Sequence, residues 1–370
     1  MSAMRFSILV VGMLTSATLP SLVGCGRYRT DAASTMDADA ASTMDAASAT
    51  DAAGDNASSA AKCTATPRML IGPFWLQAAD AGSSVSSVEW AFGDVTVSAG
   101  SVYIAATGPT EGRVWQVPLD GGSYSTFIQT IGFEQALLPT ESGLILAETR
   151  VASDGGLTGQ VVLVSAAGGP ATVLASTQGD VIGAVADSKF VYFADSSGTK
   201  RAPLTGGPAT TLTARAGSLG LFAGNVVIAD AKASEILGVA IDGGTVATLA
   251  TGQAEAMDPL ACGSALCWLT VGPTMRGRGV ASIVRLDVPA SAEPIVTSAD
   301  LFSPSRVVFD GRDFFVAVGV DTEPSGPIVQ VAASGGTPTL VANAETVGFA
   351  IDGDCLFWAD PHQGVFSVKK

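Results

Sequence analysis

Phe190-Val-Tyr-Phe-Ala-Asp-Ser-Ser-Gly-Thr-Lys-Arg-Ala-Pro-Leu-Thr-Gly-Gly-Pro-Ala-Thr-Thr-Leu212 is the stretch that decides the fold. It holds a β-prone run, Val191 to Ala194, then an Asp-Ser-Ser-Gly turn, a second short run, a Gly-Gly turn and a third run. Turn residues set between short β-branched and aromatic runs are what consecutive antiparallel hairpins require. The pattern recurs, so the stretch is one unit of an array.

Gly-Gly turns stand at Gly121-Gly122, Gly168-Gly169, Gly206-Gly207, Gly243-Gly244 and Gly335-Gly336, with Pro289-Ala290 in the one gap. Their spacing of about 37 to 47 residues belongs to propeller blades or helical solenoids, and the β-branched content excludes solenoids. Hairpin cores align between them. Val102-Tyr103-Ile104, Val191-Tyr192-Phe193, Val226-Val227-Ile228 and Leu356-Phe357-Trp358 are four of seven such cores. Each unit supplies four short strands. A single sheet of that kind has two apolar faces, and radial stacking buries both. The expected fold is an all-β propeller of seven four-stranded blades; six or eight also fit the spacing. The last unit stops one strand short, at Val365 to Val368, and Thr66 to Ile71 reads as the missing outer strand. An N-terminal strand completing the C-terminal blade would pair both edges and close the ring.

Val191-Tyr192-Phe193-Ala194-Asp195 and Leu356-Phe357-Trp358-Ala359-Asp360 resemble the YWTD and NHL-like propeller repeats, with Ala in place of the motif's Thr. They look most like the versions found in bacterial lipoproteins. The resemblance spans residues 63–370, is best at blades three, four and seven, and implies an extracellular binding module.

The N-terminus reads as an address. Arg5 precedes an apolar run from Phe6 to Leu14, and Leu22-Val23-Gly24-Cys25 follows. That run is too short to span a bilayer. The four residues resemble a bacterial lipobox, which makes 1–24 a lipoprotein signal peptide and Cys25 the acylated residue. Gly26 after the cysteine, by the same resemblance, favours the outer membrane. Residues 25–62 then form the lipidated cysteine and a disordered Ala/Ser/Asp-rich tether. Asp31 to Ala38 repeats letter for letter as Asp39 to Ala46. Small and acidic residues bury too little surface to offset chain entropy. A coil of this length reaches about 30 to 37 Å. Formal net charge is −15, a sign that repels phosphate backbones and sets nucleic acid aside as a partner.

Catalytic chemistry finds little to use. His362 is the one histidine and lies in a turn, so a histidine-dependent triad would have to route through it. Two sets of acids repeat. Glu148, Asp195, Asp230 and Asp360 follow the second strands and read as carboxylates accepting N–H bonds in their own turns. Asp180, Arg215, Glu255 and Glu345 align before the innermost strands, with Glu89, Glu134 and Asp300 nearby. In a propeller that set rings the channel mouth. Asp180, Glu255 and Glu345 are therefore the candidate calcium ligands, since calcium needs only oxygens; solvated loop acids are the plainer reading.

Connections between second and third strands are long in blades one (Thr107 to Gly112), two (Thr149 to Gly159), five (Val271 to Gly279) and six (Gly319 to Pro327). They project from the same face as the acid ring, and long loops on one face commonly bind. Arg150, Arg276, Arg278 and Glu323 are the candidate ligand-binding residues. Of five cysteines, four follow Cys25, an even number that in an exported chain favours disulfides. Cys262 and Cys267 flank a turn, and Cys63 and Cys355 would meet where the ring closes. The expected function is a lipid-anchored, non-catalytic binding or scaffold module of the cell envelope, meeting an envelope protein or glycan. The alternative is a calcium-assisted hydrolase or lactonase-like propeller using the channel-mouth carboxylates.

Overall fold

The computed structural model describes residues 63–72, 91–108, 111–130, 132–151, 156–177, 179–271, 281–287, 292–298, 301, 303–319, 326–346, 348–360 and 362–370. The expected signal peptide, Cys25 and the tether lie outside them. The elements are all strands, in seven four-stranded antiparallel sheets. Innermost strands are Ala91–Ser98, Phe133–Thr140, Val181–Ala186, Ser218–Phe222, Met257–Cys262, Arg306–Phe309 and Phe349–Asp352. Seven blades is the count, and propeller the architecture.

Strand alternation explains why the blades stack. In the second strand of blade three, Val191 and Phe193 pack into a cluster with blade two, while Tyr192 and Ala194 pack with blade four. Val226 and Ile228 of blade four face blade three; Val227 and Ala229 face blade five. Each apolar cluster is one interface between neighbouring blades, including Phe357 and Ala359 of blade seven against Val95 and Ile104 of blade one. Period-two side chains on both faces leave no blade with a free apolar side. Burying a side chain such as Phe193 or Phe357 stabilises the ring by about 1.5–3 kcal/mol.

Two glycine features set the spacing. Gly206 and Gly207 have φ of +85° and +128°, a turn that side-chain-bearing residues resist. At Gly220 a Cβ would sit 1.9 Å from the Pro259 carbonyl oxygen, so the innermost strands of blades four and five approach as only glycine allows.

The ring closes through both chain ends. Arg68–Ile71 adds to Gly364–Lys369 as the outer strand of blade seven, pairing Arg68 with Ser367, Met69 with Phe366 and Ile71 with Val365. Lys369 N–H donates to the Thr64 carbonyl at 2.8 Å. A Cys63–Cys355 disulfide fastens the junction, and a Cys262–Cys267 disulfide spans the first hairpin of blade five. By the alternation of strand direction, both bridges lie on the face opposite the connections between second and third strands.

Candidate ligand site

That connection face carries most of the sequence-derived candidates. Three column acids hold their own turns. Asp195 Oδ1 accepts from Ser197 N–H at 2.8 Å, Asp230 Oδ1 from Ala233 N–H at 2.9 Å, and Asp360 Oδ1 from His362 and Gln363 N–H, both at 2.9 Å. Glu148 departs from the pattern. Its carboxylate is buried and pairs with the Arg150 guanidinium, two residues along the same strand. A glutamate carries one more methylene than aspartate, which lifts its oxygens off the local turn and onto a same-face neighbour.

The second set does not converge. Asp180 accepts from the Thr149 hydroxyl across the boundary between blades two and three. Glu345 is exposed and stands 3.4 Å from His362 Nε2. Glu255 is exposed beside a cavity at the boundary of blades four and five. The three precede alternate blades, and among the described residues no group of three or more His, Cys, Asp or Glu could hold a metal ion. Arg276, Arg278, Glu323, Glu89 and Asp300 lie outside the described residues. Arg150 is partly exposed but committed to Glu148. The expected long connection of blade two begins as ladder: Arg150 pairs with Thr158 and Val151 with Leu157.

Arg215 does what its column position did not announce. Its Nε donates to Asp230 Oδ2 at 2.9 Å and its Nη2 to Glu235 Oε2 at 2.5 Å. It forms one wall of a cavity of about 700 Å³ sunk between blades three, four and five. Ile182, Ala214, Ala216, Ala256 and Met257 supply an apolar lining. Lys232 and Glu255 add exposed charges of opposite sign. Small side chains in the connections before blades four and five leave the space open. A concavity of this size that sets polar groups into apolar walls is a usual form of a small-ligand site.

A second polar feature lies in bulges of the innermost strands, outside the repeat set by the Gly-Gly turns. Asp94 stands in a bulge of blade one's innermost strand; its Oδ2 accepts from Leu137 N–H of blade two at 3.0 Å, and its Oδ1 pairs with Arg306 of blade six. Asp258 takes the matching bulge in blade five and accepts from Val307 N–H at 3.2 Å. Asp94 thus ties blade one to blade two and, through Arg306, to blade six, and Asp258 ties blade five to blade six. The signal was present as charged residues directly before apolar innermost runs, Asp94 before Val95 and Asp258 before Pro259-Leu260.

Two carboxylates make the ring acid-sensitive. Burial works against the charge on Asp195 and on Asp310, but partners outweigh it: Lys200 and the Ser197 turn at Asp195, Lys370 and two N–H groups at Asp310. Both carboxyls are held below the ordinary carboxylate value. The unfolded chain, with the higher value, takes up protons first as pH falls. Their stabilisation is therefore complete above about pH 5 and is lost as the pH drops through the unfolded and then the folded values. Urea midpoints of wild type and Asp195→Asn are expected to differ at pH 7 and to draw together as the pH falls below about 4. Parallel curves would mean the carboxylate is not coupled to folding.

No protein-family model matches this chain, and no curated protein is similar to it in sequence. Solved structures are similar in fold. The extracellular domain assigned to a one-component system of B. thetaiotaomicron aligns with a TM-score of 0.56 at 10% identity, over 83% of this chain and 42% of that one. Hydrazine synthase of Kuenenia stuttgartiensis gives 0.55 at 12%, over 78% and 98%. The N-terminal domain of Nup159 gives 0.51 at 8%, over 82% and 94%. At such identities the similarity is one of fold: this chain is a β-propeller.

Proposed function

We propose that the chain is an exported, lipid-anchored propeller of the cell envelope that binds a partner, an envelope protein or a glycan, on its connection face. The observation that carries this is the cavity between blades three, four and five, which opens on the face where the second strands of those blades end. Two disulfides support an oxidising destination. The lipobox-like Leu22-Val23-Gly24-Cys25 supports the anchor, and the YWTD-like and NHL-like repeats support a binding role.

A photo-crosslinking residue at exposed Ala233 samples the connection face, and one at exposed Asp352 samples the opposite face. In envelope preparations, adducts are expected from position 233 and not from 352. Equal adducts at both positions, or adducts only at 352, would overturn the assignment of the face. Incorporation of labelled palmitate that is lost in Cys25→Ala is the expected readout of the anchor; labelling that survives the substitution removes it.

A further inference from the structure

We propose that the cavity between blades three, four and five binds a zwitterion, specifically a short peptide of small residues with both termini free. This rests on reading the connection face as the binding face, and it names the ligand chemistry there. Arg215 is paired with two carboxylates, Asp230 of the lining and Glu235 outside it, so it contributes shape and donors rather than surplus positive charge. Its Nη1 meets no partner among the described residues. The exposed charged residues of the lining are Lys232 and Glu255.

A purely anionic ligand would pair Lys232 and stand against Glu255 on a chain of net charge −15. A purely cationic one would meet the reverse conflict at Lys232. Only a ligand with separated charges of both signs pairs the two. Its carboxylate would meet Lys232 and the free edge of Arg215, and its ammonium would meet Glu255. The walls choose the body of the ligand. Ala214, Ala216, Ile182 and Met257 offer apolar side chains beside the hydroxyl-bearing Ser196 and Ser218, which suits small aliphatic side chains on a polar backbone. Backbone geometry also holds Glu255 in place: its φ of +45° is a left-handed conformation that a side-chain-bearing residue adopts only where the surroundings impose it.

The probe is tri-L-alanine, titrated calorimetrically into the full chain beside its N-acetylated and C-amidated forms. Binding of the free peptide is expected, with each blocked form weaker by at least about tenfold, as for loss of one charge-assisted contact. Lys232→Ala is expected to lose the distinction between acid and amide while keeping that between amine and acetyl; Glu255→Gln is expected to do the converse. Both residues are exposed, and thermal melting confirms that each variant folds. Absence of both heat and a melting shift up to about 10 mM peptide overturns the proposal. So does binding that neither variant changes. The two failures are separable: crosslinks at position 233 with a silent peptide titration would sink the zwitterion and leave the binding face standing.

Discussion

Replacing both Cys63 and Cys355 with serine is expected to cost more stability than replacing both Cys262 and Cys267. The first bridge joins residues 292 apart in sequence and the second residues 5 apart. In the chain-entropy account, the stabilisation grows with the logarithm of the loop closed, giving about 5–6 kcal/mol for the long bridge and about 2 kcal/mol for the short one. The long bridge also holds a junction that is otherwise thin. Its strand is four residues, Arg68–Ile71, with a register irregularity between Met69 and Ile71. Without the bridge, loss of those few pairings exposes the edge of Gly364–Lys369 and the Leu70, Ile71 and Val365 side chains buried against blade one. Urea midpoints and unfolding rates of the two double variants measure this. An equal or larger loss for Cys262→Ser/Cys267→Ser would show that closure of the ring is not what limits its unfolding. Because the long bridge sits opposite the connection face, ligand binding at the cavity is expected to survive its removal while the ring stays folded.

How far this was legible in the sequence depends on which features repeat. Gly206-Gly207 and its counterparts were readable because a turn with positive φ at both positions admits little besides glycine, and the repetition gave the period. The tail-to-head closure was readable because Val365 to Val368 lacked an outer neighbour and Thr66 to Ile71 had the composition of one. Both disulfides followed from placing four cysteines on that frame. Features particular to one blade were opaque. Nothing in the aligned column of Asp180, Arg215, Glu255 and Glu345 tells that Arg215 turns toward two carboxylates of blade four while Asp180 accepts from Thr149. Glu148 matched its column in charge and differed in reach, and the extra methylene decided its partner. The cavity arises where side chains are small, and a missing volume leaves no motif.

The axis of the ring gives the second large effect. Arg306→Met is expected to destabilise the propeller by about 3–5 kcal/mol, the usual cost of removing one member of a buried ion pair. Asp94 and Arg306 are buried at 4% and 7% side-chain exposure, so neither charge regains full hydration when its partner goes. In that variant Asp94 keeps the N–H groups of Val95, at 2.8 Å, and of Leu137, at 3.0 Å, but loses its counter-ion. Adding Asp94→Asn removes the stranded charge and retains a carbonyl oxygen for Leu137, so the double variant is expected to recover much of the loss. The two single variants and the double form a cycle that isolates the coupling from the packing of each side chain. Titration supplies an independent sign. A carboxylate buried without its cation has its pKa raised in the folded state. The folded Arg306→Met protein then takes up a proton before the unfolded chain does, so its deficit relative to wild type should shrink as pH falls from 7 toward 4. The Asp195→Asn deficit also shrinks as pH falls, but there the folded carboxyl is held below the unfolded value, so the Arg306→Met deficit should begin to shrink at the higher pH. A deficit that is flat with pH, with no recovery in the double variant, would mean that Arg306 serves the ring through its contact with the Phe349 ring, 6.0 Å from its guanidinium, and not through its ion pair with Asp94.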